Sequence, residues 1–202
     1  GRGGSVGEEL RECLSAEHCE RVLVGYYNGA YVAPLSVDIR NTDLKPDAAI
    51  LEAFDSIRAE GGMFRDGWLP KENPFQITIA IDKLASSADG WRRLHEMVRS
   101  RSELKMVRSG HSIDVCPAWA AKPRVLDAGR GKMAEGHLQM LAIGDSGDRH
   151  GNDYDLLGGD FGLSVDRVCE REISCWNLLP GSVSGPDGLL RILGGMRLTG
   201  VG

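Results

Sequence analysis

The 202 residues are 42% hydrophobic and 26% charged, the proportions of a chain that folds around a core rather than of a disordered tail. Lys plus Arg number 24 against 29 Asp plus Glu, a net charge of −5, which is the wrong sign for a basic nucleic-acid binder. No apolar run reaches the ~18 residues of a bilayer span, and the opening GRGGSVGEELREC lacks the apolar stretch of a signal peptide.

Five Cys with no CxxC pair argue against a disulfide framework or a zinc site, so reduced thiols and a cytoplasmic setting are expected. Glycine is over-represented, 27 residues or about 13% against a usual ~7%, and lies in turns without a period. The chain starts Gly1-Arg2 without an initiator Met and runs at once into a helical pattern. The expectation is a piece of a larger protein.

In chain order, Ser5 and Glu8 form a capping-box pattern before GEELRECLSAEHCERV, where Leu10, Cys13 and Leu14 share a helical face. Val22 to Tyr27 reads as a buried strand, Asn28-Gly29 as a hairpin turn, and Ala30 to Val32 as the returning strand. Pro46 and Asp47 open a helix carrying Ile50, Leu51, Phe54 and Ile57, which Gly61-Gly62 ends. Residues 63 to 74 read as loop. Phe75 to Ile81 alternates as a strand. Trp91, Leu94, Met97 and Val98 give a helix over about 89 to 101, and residues 105–108 and 112–116 give two antiparallel strands.

Residues 121 to 138 read as a helix broken at Gly129 and Gly131. Met140 to Ile143 is a short strand that ends in Gly144-Asp145, a Gly- and Asp-rich loop and a helix at Tyr154 to Leu157 follow, then a strand at 161–165 and a last helix from Gly185 to about Leu193. Strand and helix alternate at both ends of the chain, around a middle of α+β character. The pattern predicts an α/β parallel-sheet core over residues 1–33 and 118–202, with an α+β domain inserted over 34–117.

Asp145 directly follows an apolar strand, and ligands of open α/β sheets bind beyond the carboxyl ends of strands. Hard oxygen ligands gathered there suit Mg²⁺, which takes one or two carboxylates plus phosphate; an acidic surface turn is the plainer alternative. Lys122 precedes Pro123 at a helix start, where an ammonium pairs with phosphate or a carboxylate, although a single lysine is usually solvated surface. Asn28 is a turn residue on local chemistry alone. His150 receives no role, and Cys116, Cys169 and Cys175 read as core thiols. Gly129 to Met133 is no P-loop, because Met133 stands where Ser or Thr is required, and no GxSxG elbow supports a serine triad.

Taken together, these segments resemble the haloacid dehalogenase (HAD) superfamily, in particular its Cof-like and sucrose-phosphatase-like phosphatases with a C2-type cap. Gly144-Asp145 through Asn152-Asp153-Tyr154-Asp155-Leu156-Leu157 resembles motif IV; Val24 to Ala30 (VGYYNGA) resembles the strand and NGA turn before the cap; Ser112 to Val115 through Lys122 resembles the cap's closing strand and the motif III lysine; Gly1-Arg2 resembles the end of motif II. Motif I, an Asp-x-Asp near the N-terminus, is absent, and Asn152 lies seven residues past Asp145, farther than the usual spacing.

The resemblance implies a HAD-like Rossmannoid core, incomplete at its N-terminus, and a phosphatase of small phosphorylated metabolites, sugar phosphates among them. It implies Mg²⁺ held by Asp145 and Asp153, Lys122 as catalytic lysine, and Asn152 and Asn28 on the substrate side. The nucleophile that forms the aspartyl-phosphate would lie outside these residues, so this chain alone is expected to be inactive. No nucleic-acid or membrane partner is expected. Two rival readings are a HAD-like module that binds or regulates without catalysis and an unrelated α/β interaction domain.

Overall fold

The computed structural model describes residues 5–132, 139–171 and 175–197. The chain is mixed α/β and divides into two compact units, Gly1–Gly136 and His137–Gly202. Among the described residues no helix is long and apolar enough to cross a membrane.

The first unit begins with α1 (Ser5–Cys13) and α2 (Ala16–Arg21). The expected single helix is two, because the Ser15 side chain accepts the His18 N–H at 3.3 Å and caps a new start. β1 (Leu23–Tyr26) and β2 (Tyr31–Pro34) form the expected antiparallel hairpin. Its turn holds Tyr27 and Asn28 at φ 52° and 54°, with Gly29 at φ 86°. That left-handed run is where Asn and Gly are tolerated, whereas for a bulky residue such as Tyr27 it is strained.

α3 (Ala48–Ala59) starts two residues later than the Pro46 signal suggested, since the Asp47 carboxylate caps the amides of Ala49 and Ile50. β3 (Lys71–Asn73), β4 (Gln76–Ala80), α4 (Ser87–Arg99), β5 (Leu104–Arg108) and β6 (Ser112–Pro117) complete a helix-covered antiparallel sheet of order β3-β4-β6-β5. β3 falls in the stretch expected to be loop. Its polar residues carry no strand signal, and pairing with β4 makes it one. Successive side chains alternate across the sheet. Ile77, Ile79, Ile113 and Val115 pack with Ile50, Ala53, Ile57 of α3 and Leu94, Val98 of α4, all buried. Truncating one of these isoleucines to alanine costs roughly 2–5 kcal/mol.

The opposite sheet face carries Gln76, Thr78, Ser112, Asp114 and Cys116. Its Cys116 end packs with Tyr26, Tyr27, Ala30 and Ala120. α5 (Pro123–Lys132) then runs unbroken through Gly129 and Gly131, against the expected interruption. It packs on β1 and β2, and Gly25 leaves room for Val125. The remainder of the helix expected to reach residue 138 lies outside the described residues.

In the second unit, β7 (Ala142–Ser146), β8 (Gly162–Arg167) and β9 (Cys175–Trp176) form a parallel sheet. α6 (Tyr154–Leu157) follows the Asp-rich loop, and α7 (Gly185–Gly195) packs on β8 through Gly188 against Val165. Cys169 is buried and Cys175 half-buried, and Cys116 in the first unit is fully buried.

Candidate functional site

Asp145 is the penultimate residue of β7, inside the strand rather than just beyond it, and it is exposed. The strand is anchored from below by a carboxylate further along the chain. Asp153 Oδ2 accepts the Asp145 N–H at 3.0 Å and the Ser146 N–H at 3.2 Å, while the Asp153 N–H donates to the Ser146 carbonyl at 3.1 Å. Asp153 is only 4% exposed, and its carboxyl oxygen accepts these backbone donors in a desolvated spot. The two acidic residues singled out as metal residues therefore meet at one strand tip. Asp153 acts there through the backbone that carries the Asp145 side chain.

Between them the chain makes a compact turn. The Gly151 N–H donates to Asp148 O at 2.8 Å, and a Cβ on Gly151 would overlap the Ser146 carbonyl, so the turn closes against the strand only with glycine. Asn152 has a buried Oδ1 without a hydrogen-bond partner among the described residues. An amide oxygen in that state requires a donor or a cation. Asp145 and Asn152 thus offer hard oxygens of the type Mg²⁺ takes, and in donor chemistry the residues fit that ion. Among the described residues, no group of three or more His, Cys, Asp or Glu side chains is arranged to hold a metal by itself.

The other two candidates, Asn28 and Lys122, belong to the first unit. The turn that carries Asn28 is pressed on the segment that carries Lys122: a Cβ on Gly29 would overlap the Ala121 carbonyl and lie 3.1 Å from Lys122 N. Arg124 fastens the approach, donating from Nη1 to Gly29 O at 3.2 Å and Ala30 O at 3.1 Å. Its guanidinium also lies 4.8 Å from the centroid of the Trp119 ring. Lys122 sits immediately before α5, and its carbonyl accepts the Val125 N–H at 3.0 Å. The Asn28 side chain turns into the protein. Its Nδ2 donates to Gln76 Oε1 at 3.0 Å and Asp114 Oδ2 at 3.3 Å, with Cys116 Sγ at 3.6 Å.

That buried cluster was missed in the sequence. Asn28, Gln76 and Asp114 are all at most 6% exposed. Burial pushes the Asp114 carboxyl up, with hydrogen bonds from Asn28 and Thr78 opposing the shift. Burial, with the Asp114 charge adding to it, pushes the Cys116 thiol up to about 12, which makes it an inert core thiol. The available signal was an aspartate between Ile113 and Val115 in an alternating strand, on the face away from the helices. Also missed was Arg167, which pairs with Asp148.

No protein-family model matches the chain, and no curated protein matches it.

Proposed function

We propose that the chain is the cap-bearing, C-terminal portion of a Mg²⁺-dependent HAD-type phosphatase acting on small phosphorylated metabolites. The observation that carries this reading is the Asp145–Asp153 pairing: an exposed carboxylate at the carboxyl end of a parallel strand, its backbone held by a buried carboxylate eight residues on. The α+β block from α3 to β6 supports the reading as well, since its helix-backed sheet has the composition of a cap, as does the docking of the Asn28-Gly29 turn beside Lys122.

In this reading the nucleophilic aspartate and its acid–base partner are supplied by residues outside these 202. Asp145 would hold the Mg²⁺, which would supply charge neutralisation for the transferring phosphoryl group. Asp153 keeps the Asp145 backbone in place. Lys122 stabilises the nucleophile and the phosphoryl charge. Asn152 presents its amide to the phosphate, and the cap excludes water and selects the leaving group.

Two results test the proposal. The codons upstream of Gly1 should encode an in-frame Asp-x-Asp, and a reading frame without one contradicts it. The purified 202-residue chain should not hydrolyse p-nitrophenyl phosphate with Mg²⁺. Hydrolysis by this chain that disappears on Asp145→Ala would show that the nucleophile lies within it.

A further inference from the structure

The loop from Asp145 to Asn152 is long, yet it returns Asp153 to hydrogen-bonding distance of the strand it left. Local turn bonds close the Gly151 end. What anchors the middle comes from the neighbouring strand. Along β7 and β8 the pairing runs Gly144 with Ser164, then Ser146 with Arg167, so β8 carries one extra residue opposite Asp145. Such a bulge re-aims the side chains that follow it. Ser164 stabilises it: its Oγ donates to Arg167 O at 2.7 Å and accepts the Asp166 N–H at 3.1 Å.

The bulge turns Arg167 toward the loop. Its Nη1 pairs with Asp148 Oδ2, its Nη2 donates to Ser146 Oγ at 3.4 Å, and its carbonyl accepts the Gly147 N–H at 3.0 Å. The other Asp148 oxygen accepts the His150 N–H at 3.3 Å. One side chain therefore grips both the end of β7 and the loop beyond it.

We infer that Arg167 is a positioning residue for the proposed phosphatase: through Asp148 and Ser146 it holds the lengthened loop so that Asp145 and Asn152 keep their places at the strand tip. The inference rests on the phosphatase reading. The Arg167 side chain is 55% exposed and that of Asp148 27%, so the pair contributes little to folding stability. Its consequence lies in geometry, because a displacement of about 1 Å in a reacting group lowers turnover by one to two orders of magnitude.

The test uses the product of the full reading frame, assayed with p-nitrophenyl phosphate and Mg²⁺. Arg167→Ala should lower kcat about tenfold or more while the melting temperature moves by less than about 3 °C. Asp148→Asn should show the same defect, and Arg167→Lys, which keeps the ion pair, should recover most of the rate. Unchanged kcat in Arg167→Ala, with the parent active, overturns the inference and leaves the phosphatase reading intact. A kcat that falls only in step with the melting temperature, without recovery in Arg167→Lys, assigns Arg167 to the fold and also overturns it. An inactive parent overturns the phosphatase reading, and this inference with it.

Discussion

Asp153 Oδ2 lies 3.0 Å from the Asp145 amide nitrogen and accepts a hydrogen bond from it, so a buried acid holds the backbone of an exposed one. A second amide, that of Ser146, donates to the same oxygen at 3.2 Å. Asp153→Ala strands one buried donor, the Ser146 amide, at about 1–3 kcal/mol, and one half-buried donor, the Asp145 amide, at the low end of that range. The expected loss is about 2–4 kcal/mol for the second unit, read by urea unfolding followed by circular dichroism. Asp153→Asn keeps an acceptor oxygen and should lose clearly less. Equal losses in the two variants would mean that the carboxylate does not hold these amides.

Asn28 is fixed in two ways. Its φ of 54° favours Asn or Gly, and its side chain supplies a donor to Gln76 and Asp114. Asn28→Ala removes the donor and adds left-handed strain of about 1–2 kcal/mol, so it should destabilise more than Asn28→Gly, which removes the donor alone. Thermal melts of the two variants check the order, and the reverse order would contradict this account of the turn.

The buried Asp114 carboxyl predicts a pH dependence. Its folded-state pKa is raised, by burial before all else, above its unfolded value. Its contribution to stability is therefore complete below the ordinary carboxylate value of about 3.9 and is lost as pH rises through the higher folded value. Asp38 and Asp89 are shifted the other way, chiefly by hydrogen bonds from the Arg40 backbone N–H and from the Arg92 side chain respectively. Their contributions are lost as pH falls. The informative quantity is thus the difference between the parent and Asp114→Asn. Chemical unfolding from pH 4 upward should show the parent losing stability relative to the variant as pH rises, and parallel curves would contradict it.

Gly151 has no room for a side chain against the Ser146 carbonyl. Gly151→Ala should open the loop and speed amide exchange at Asp145, Ser146 and Asp153, with little change in β4 and β6 of the first unit. Exchange rates measured by NMR check this, and unchanged protection at the strand tip would contradict the packing described.

The parts of the fold that could be read in the sequence are those written in local periodicity. Ile77 with Ile79 and Ile113 with Val115 announce their strands because one face must reach the core, and Leu94 with Val98 marks α4. β3 could not be read, since Lys71-Glu72-Asn73 is polar and becomes a strand only through β4. The two-residue β9 is too short to carry a pattern. At the candidate site, Asp145 could be picked out by its place after an apolar run, and Asn152 and Asp153 through the motif resemblance. The partners of Asn28 could not, because Gln76 and Asp114 are 48 and 86 residues away. Arg167 could not either, because its aim toward Asp148 depends on a one-residue slip between two parallel strands, which no local spacing encodes.

The most direct test of the account is Mg²⁺-dependent hydrolysis of p-nitrophenyl phosphate by the product of the full reading frame, with and without Asp145→Ala. The account predicts hydrolysis that saturates with Mg²⁺, stops on chelation, and falls about a hundredfold or more in Asp145→Ala while the fold persists. An active protein whose rate does not depend on Mg²⁺, or on the carboxylate at position 145, would contradict it.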